Sequence, residues 1–333
     1  MADLTDKKQL IRFLQQHGLY TKKKLGQNFL VDRAALDKIV DAAGLLKDDC
    51  VIEIGPGLGV LTEELVKRAG KVVAVELDAA LAEILEVRFS KLEENQKPLK
   101  SKIDILKSDI LRINLSETTK DCSSYKVVAN IPYYITSKIL RFFLEAEKKP
   151  ELIVLLTQKE VAERIVAKPG EMSILSVSVQ YYGRPEIIDI VPETSFFPMP
   201  EVDSAILKIS NIHTPSNSPL LRGRNLNNSS FLKIGNIPSD SSPKIGEVRW
   251  GMENTDVKEF FRCIHIGFSS RRKTLLNNLS AGYHLDKKTT LDILEKVGLT
   301  ERTRAQELSI GKWQELCRQL PDWDRKDNER SGS

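Results

Sequence analysis

Val51-Ile-Glu-Ile-Gly-Pro-Gly-Leu-Gly59, followed by Val72-Val-Ala-Val-Glu-Leu-Asp78, decides how the rest of the chain is read. Val51 to Ile54 predicts a buried strand, Gly55, Gly57 and Gly59 a tight turn, and 60–68 a helix that starts straight after it. A glycine turn between strand and helix lets a ligand approach bare backbone and aims free N–H groups at it. Glu76 stands about twenty residues on, at the end of the next apolar strand, where a carboxylate can hold the two hydroxyls of a ribose. An adenosine-bearing cofactor follows. Its identity stays open at this point, because a dinucleotide turn carries a third glycine where this chain has Val60, and the same turn also serves S-adenosylmethionine or a purely structural loop.

Around this stretch, helices and short apolar strands alternate. The pattern predicts helices over 4–17, 32–43, 60–68, 79–92, 136–146, 158–167 and 172–182, with strands at 51–54, 71–76, 102–106, 126–129 and 151–156. Such alternation builds a parallel sheet covered on both faces. Strands near 185–191 and 203–209 read as an antiparallel edge pair. From Asn211 to Asn254 the chain is rich in Ser, Asn, Pro and Gly without periodicity, and is read as a linker or insert dispensable for chemistry. Helical periodicity resumes at 256–266, 271–279, 287–297 and 310–320. The expected organisation is a catalytic domain over 1–209, a linker over 210–255, a small all-helical domain over 256–323, and a loose charged tail over 324–333.

Composition bounds the function classes. The chain has 333 residues, 41% apolar and 29% charged, as in a soluble enzyme of two domains. No apolar run is long enough to span a membrane, and Met1 to Gln9 lacks a signal core, so cytoplasmic residence is expected. Cys50, Cys122, Cys263 and Cys317 form no C-x-x-C pair and are expected to be reduced. Four histidines show no ligand spacing, and no metal is expected. Fifty basic against 46 acidic residues give a formal charge of +4, concentrated in part in Lys22-Lys23-Lys24 and Arg271-Arg272-Lys273. Each triplet suits a solvated face, and the two together suit a polyanionic partner.

Asn130-Ile-Pro-Tyr-Tyr134 follows the strand 126–129, at the carboxyl edge where an open parallel sheet binds ligands. The turn suits methylation of an exocyclic amine. The Asn130 carboxamide oxygen and the Ile131 carbonyl can accept both N–H groups, which favours a pyramidal nitrogen with its lone pair free. Pro132 stiffens the turn, and Tyr133 offers a flat face to a base. Asp109, after the strand 102–106, can accept from an adenine amino group or cap a helix.

These stretches carry a resemblance. Gly26-Gln-Asn-Phe-Leu30, Glu53-Ile-Gly-Pro-Gly-Leu-Gly59, Asn130-Ile-Pro-Tyr-Tyr134, Gln158-Lys-Glu160, Phe196-Phe-Pro-Met-Pro-Glu-Val-Asp-Ser204 and Phe268-Ser-Ser-Arg-Arg-Lys273 occur in the order found in the rRNA adenine N6-dimethyltransferases. The chain most resembles the KsgA-type small-subunit (16S) branch. That resemblance implies an α/β fold, a Rossmann-like S-adenosylmethionine-dependent methyltransferase sheet with a C-terminal helical domain. It further implies that Asn28, Leu30, Gly55, Glu76, Asp109 and Asn130 hold S-adenosylmethionine, that Tyr133 and Phe196 wall the target-base pocket, and that Arg271, Arg272 and Lys273 lie near rRNA, where they could equally brace the domain interface; Lys22, Lys23 and Lys24 are expected to meet RNA from their charge alone. The implied enzyme is a monomer that dimethylates N6 of two adjacent adenosines near the 3′ end of small-subunit rRNA within an assembling ribosomal subunit. Two other readings stay open: a resistance-type methylase of one large-subunit adenine, and an assembly or transcription factor whose catalysis is incidental. The Asn211–Asn254 stretch is longer and more polar than the family's usual connection.

Overall fold

The computed structural model describes residues 3–20, 27–90, 93–94, 97–98, 102–213 and 255–321. The triplet Lys22–Lys24, Gly26, most of the Ser/Asn-rich stretch and the charged tail lie outside the described residues. The chain divides into two units, Met1–Ile212 and His213–Ser333.

The first unit opens with helix α1 (Lys7–Gln16), strand β1 (Phe29–Leu30) and helix α2 (Arg33–Ala43). Next come β2 (Cys50–Ile54), α3 (Val60–Arg68), β3 (Lys71–Glu76), α4 (Ala79–Ser90), the short strands β4 (Glu93–Glu94) and β5 (Lys97–Pro98), and β6 (Ile103–Lys107). The second half runs through α5 (Leu115–Thr118), β7 (Lys126–Asn130), α6 (Thr136–Leu144), β8 (Leu152–Gln158), α7 (Lys159–Ile165), α8 (Ile174–Tyr182), β9 (Arg184–Val191), β10 (Phe196–Phe197) and β11 (Ser204–Ser210).

Seven strands form one sheet in the order β6-β3-β2-β7-β8-β11-β9. The first five run parallel, and β11 lies antiparallel to both β8 and β9. The central strands are apolar on both faces: every residue of β2 is buried, as are Val127, Val128 and Ala129 of β7 and Leu152 to Leu156 of β8. This is why they read as continuous runs rather than alternating ones. Leu36 and Ile39 of α2, and Leu65 of α3, pack with Val51, Val72, Val154 and Ile206 in one core cluster. Each such side chain contributes roughly 1.5–3 kcal/mol by leaving water. From β2 the chain winds outward through β3 and β6, then returns to lay β7 on the other side of β2. The strand order therefore reverses between β2 and β7, and the crevice beyond their carboxyl ends is where a ligand belongs.

The cysteines differ from the expectation that all four are reduced. Cys50 and Cys122 are joined as a disulfide, their Cα atoms 6.0 Å apart across 72 residues of sequence. Cys50 heads β2, and Cys122 lies just before β7, the strand paired with β2. Sheet topology makes neighbours of two cysteines whose spacing alone suggests no pair. Cys263 and Cys317 are free.

The second unit holds four described helices, α9 (Thr255–Gly267), α10 (Leu275–Tyr283), α11 (Lys287–Lys296) and α12 (Ile310–Gln319). Fully buried Trp313 stacks near Phe268 with ring centroids 5.6 Å apart. A β-carbon on Gly267 would lie 2.4 Å from the Trp313 ring, so only glycine admits the indole there. The expected helix over 271–279 starts later, at Leu275. Asn278 Nδ2 donates to the carbonyls of Gly267 (2.6 Å) and Ser270 (3.1 Å), knitting 268–273 into a turn that carries Arg271, Arg272 and Lys273 exposed.

Candidate active site

The glycine turn leaves β2 with three left-handed residues, Gly55 (φ +61°), Gly57 (+59°) and Gly59 (+81°). Gly59 is required twice over. Its conformation disfavours any β-carbon, and a β-carbon built there would lie 2.7 Å from Leu85 Cδ2 and 2.9 Å from Phe89 Cε2 of α4. Close helix approach, which a dinucleotide turn obtains from a glycine at the place of Val60, is supplied here by Gly59. Arg88 braces the turn from α4: Nη1 donates to the Leu58 carbonyl (3.1 Å), and Nη2 pairs with Glu63 (2.7 Å). Sequence reasoning missed Arg88, because the partner it holds is 30 residues away and no local pattern marks the contact.

At the end of β3, Glu76 is buried, and its carboxylate accepts from Gly57 N (3.0 Å) and Asp78 N (2.9 Å). Burial raises its pKa, against the pull of those N–H groups. The acidic group is thus fixed beside the glycine turn with lone pairs to spare, as a ribose diol requires. Glu53 lies deeper. It is fully buried, its Oε2 has no hydrogen-bond partner among the described residues, and burial pushes its carboxyl up to about 8, with the Thr62 hydroxyl pulling the other way. Burial thus favours the protonated form of Glu53, a second feature to which sequence reasoning gave no role.

Asp109 follows β6 and lines the same cavity. Its Oδ1 accepts from Leu111 N (3.0 Å), capping a single helical turn at Ile110–Arg112. The cap reading holds, and the capped carboxylate also lines the cavity. Asn28 and Leu30 line the cavity from the other side, where β1 pairs antiparallel with β10. That strap is pinned twice: Val31 N donates to the Ser195 carbonyl (2.8 Å), and Ser195 Oγ donates to Asp32 Oδ2 (2.7 Å). Glycine backbone, a buried acid, a capped aspartate and apolar walls such as Ile54 and Ile110 fit an adenosine with a charged tail, and the set contains no cluster of metal ligands among the described residues.

Beside this half stands the second. Asn130 ends β7, next to β2, with Ala129 paired to Ile54. Its Nδ2 donates to the Asn28 carbonyl (3.3 Å), which turns Oδ1 the other way as an acceptor. Ile131, Pro132, Tyr133 and Tyr134 continue along the cavity wall. Tyr133 is half-buried, its hydroxyl 2.7 Å from Ser204 Oγ, and burial raises its pKa. Tyr134 is 63% exposed.

Phe196 departs from the expectation of two aromatic walls. It is 2% exposed, sits in the core cluster opposite Leu30, and is absent from the cavity lining. The pairing of β1 with β10 aims its ring at the core. The structure thus brings together Asn28, Leu30, Gly55, Glu76, Asp109, Asn130 and Tyr133 on one cavity, and leaves Phe196 behind it. Arg271 to Lys273 belong to the second unit.

Comparison with known proteins sharpens the reading. The profile of the ribosomal RNA adenine dimethylase family matches residues 18–222. Ribosomal RNA small subunit methyltransferase A of Dehalococcoides mccartyi strain 195 is 41% identical over 304 residues, covering 91% of this chain and 90% of the relative. Its namesake in Bacillus mycoides strain KBAB4 is 36% identical over 325 residues, covering 96% and 98%. Among solved structures, a dimethyladenosine transferase from Plasmodium falciparum superposes with a TM-score of 0.63 at 25% identity, covering 86% of this chain and 95% of its own. The 23S rRNA methyltransferase ErmE superposes at 0.62 and 24% identity, covering 88% and 99%, a likeness of fold.

Proposed function

The chain belongs to the ribosomal RNA adenine dimethylase family, and we propose that it dimethylates N6 of two adjacent adenosines in the hairpin near the 3′ end of small-subunit rRNA. It is an S-adenosylmethionine-dependent rRNA adenine dimethyltransferase. The subunit, the pair of adenosines, action on an assembling subunit in the cytoplasm, and work as a monomer are parts of the proposal. Among the described residues no helix is long and apolar enough to cross a membrane.

One observation carries the reading: the glycine turn and the Asn130–Tyr134 turn leave the carboxyl ends of two hydrogen-bonded strands at the point where strand order reverses. Gly55, Glu76 and Asp109 would hold the cofactor, with Asn28 and Leu30 covering it. When bound, S-adenosylmethionine supplies an electrophilic methyl group. The target adenine must leave its stack to reach a pocket, and Tyr133 offers a face in exchange. Asn130 Oδ1 and the Ile131 carbonyl accept the N6 hydrogens and stabilise the positive charge that grows on nitrogen during transfer. The new ammonium then loses its proton to water, so the site needs no strong base. Tyr133, whose pKa is raised, stays a neutral phenol throughout.

The test is transfer of radiolabelled methyl from S-adenosylmethionine to separately purified, unmodified small and large subunits. Label confined to the small subunit is expected. Label in a large-subunit adenine would favour the resistance-type activity.

A further inference from the structure

Of the sequence motifs gathered above, Val202-Asp-Ser204 has no part in the chemistry so far. It stands at the start of β11, where Ser204 pairs with Gln158 of β8 on one side and Val191 of β9 on the other, and Ser204 is completely buried. Around it the backbone is fixed. Lys159 N donates to the Asp203 carbonyl (3.0 Å), and Glu193 N donates to Asp203 Oδ1 (3.3 Å). Ser204 Oγ is therefore carried by a strand paired on both sides, and it lies 2.7 Å from the Tyr133 hydroxyl.

A second contact holds the same residue. Thr136 Oγ1 donates to the Tyr133 carbonyl (3.2 Å) and lies 2.9 Å from Thr157 Oγ1, both threonines being buried. Thr157 pairs with Ala205, the residue after Ser204. Tyr133 is thus clamped at both ends, ring and backbone, to adjacent rungs of the β8–β11 ladder. Neighbouring Tyr134 is 63% exposed, so tethering is a property of position 133 rather than of the whole turn. Stacking on a base requires an aromatic face and no hydroxyl. The hydroxyl of Tyr133 has another task, for it points inward to a buried partner.

We infer that Ser204 is a positioning residue for methyl transfer: it fixes the Tyr133 ring in the orientation in which a flipped adenine presents N6 to Asn130. The tether links two motifs that lie 71 residues apart in sequence. It acts before substrate arrives, so the ring spends no binding free energy on being ordered when the base enters. Ser204 itself touches neither substrate nor cofactor. The inference rests on the proposed role of Tyr133 as the base-facing ring, and the experiment separates the two.

Four variants are compared in the full-length protein: Ser204→Ala, Tyr133→Phe, the double variant Ser204→Ala/Tyr133→Phe, and Tyr133→Ala. For each, single-turnover methylation of unmethylated small subunits, subunit affinity, S-adenosylmethionine affinity and melting temperature are measured. Ser204→Ala and Tyr133→Phe each remove one end of the same hydrogen bond, and each is expected to slow transfer about 3- to 10-fold. Cofactor affinity is expected to hold. The double variant should be no slower than either single one, because Ser204 acts only through the phenol. Losses that multiply in the double variant, or a Ser204→Ala protein that transfers at the normal rate, would overturn the inference. Where Ser204→Ala does not fold, Tyr133→Phe decides alone, since it cuts the tether from the half-buried side; a normal transfer rate in that variant overturns the inference too. Tyr133→Ala identifies which idea has failed. If it transfers normally, the stacking role is wrong and the tether falls with it. If it is impaired while the two tether variants are normal, the base contact stands and the tether alone is wrong.

Discussion

The two sides of the switch point are built from different materials. On the β2-β3-β6 side, the cavity is made of backbone and buried acid: left-handed glycines, the N–H groups of Gly57 and Asp78 on Glu76, and the buried Glu53, whose pKa burial raises. On the β7-β8-β11 side it is made of side-chain hydroxyls and amides, with Asn130 held by Asn28 and Tyr133 held by Ser204. A cofactor whose position never varies suits fixed backbone. A base that must enter and leave suits a ring and an amide set by a few neutral hydrogen bonds. The first side should therefore respond to pH and to added volume, the second to the loss of single polar groups.

The largest effect expected on the first side is pH dependence. In the folded protein Glu53 keeps its proton to about pH 8, whereas its unfolded value is 4.5. Between those values the folded state binds more protons, so its contribution to stability is complete below about 4.5 and is lost as pH rises toward 8, with a slope of up to about 1.4 kcal/mol per pH unit. Glu53→Gln should remove that decline, as read from melting temperature of the cofactor-free protein between pH 5 and 9. Superimposable curves for the two proteins would show that Glu53 ionises normally.

Phe196 tests the boundary between core and site. Its truncation to Ala should leave a cavity costing about 3–5 kcal/mol of stability, seen in chemical denaturation. A Phe196→Ala protein of normal stability that fails only in transfer would restore the residue to the base pocket. Tyr133→Ala is the counterpart on the other side. It should remove stacking on the order of 1–3 kcal/mol from RNA-engaged transfer while cofactor affinity stays close to normal, and it should also lower the melting temperature, because the buried Ser204 hydroxyl loses its partner. The smallest effect belongs to the second unit. Changing Arg271, Arg272 and Lys273 to Gln should reduce the salt dependence of subunit binding by roughly 0.7–0.9 in log–log slope for each phosphate no longer neutralised. An unchanged slope with a lower melting temperature would make them structural residues.

Legibility in the sequence followed the range of the forces involved. Strands such as β2 and β3 are readable because their apolar runs and the glycine turn are local, and the helix over 32–43 is readable because its periodicity and its cap are local, Asp32 accepting from Ala35 N at 3.1 Å. The Asn130–Tyr134 turn was placed at the sheet edge because strand alternation alone puts it there. Hidden from view were the long-range pairings. The two-residue pairing of β1 with β10 is too short to show periodicity, yet it decides that Phe196 faces the core. The disulfide between Cys50 and Cys122 and the contact of Arg88 with Leu58 follow from strand order and helix packing, which no local pattern records. Ser204 was visible as part of a motif, but its partner became apparent only when β11 was laid beside β8.

The two sides meet at Asn130, which ends β7 and lines the cavity, and whose amide is proposed to serve the base. The proposed methyl transfer depends on that amide, and the decisive measurement is single-turnover methylation of unmethylated small subunits with Asn130→Ala protein, the RNA being digested and its nucleosides weighed by mass spectrometry. N6,N6-dimethyladenosine is expected with the unaltered protein, and with the variant a rate lower by on the order of 100-fold at near-normal melting temperature. Dimethyladenosine formed by Asn130→Ala at the normal rate would show that the amide has no part in transfer.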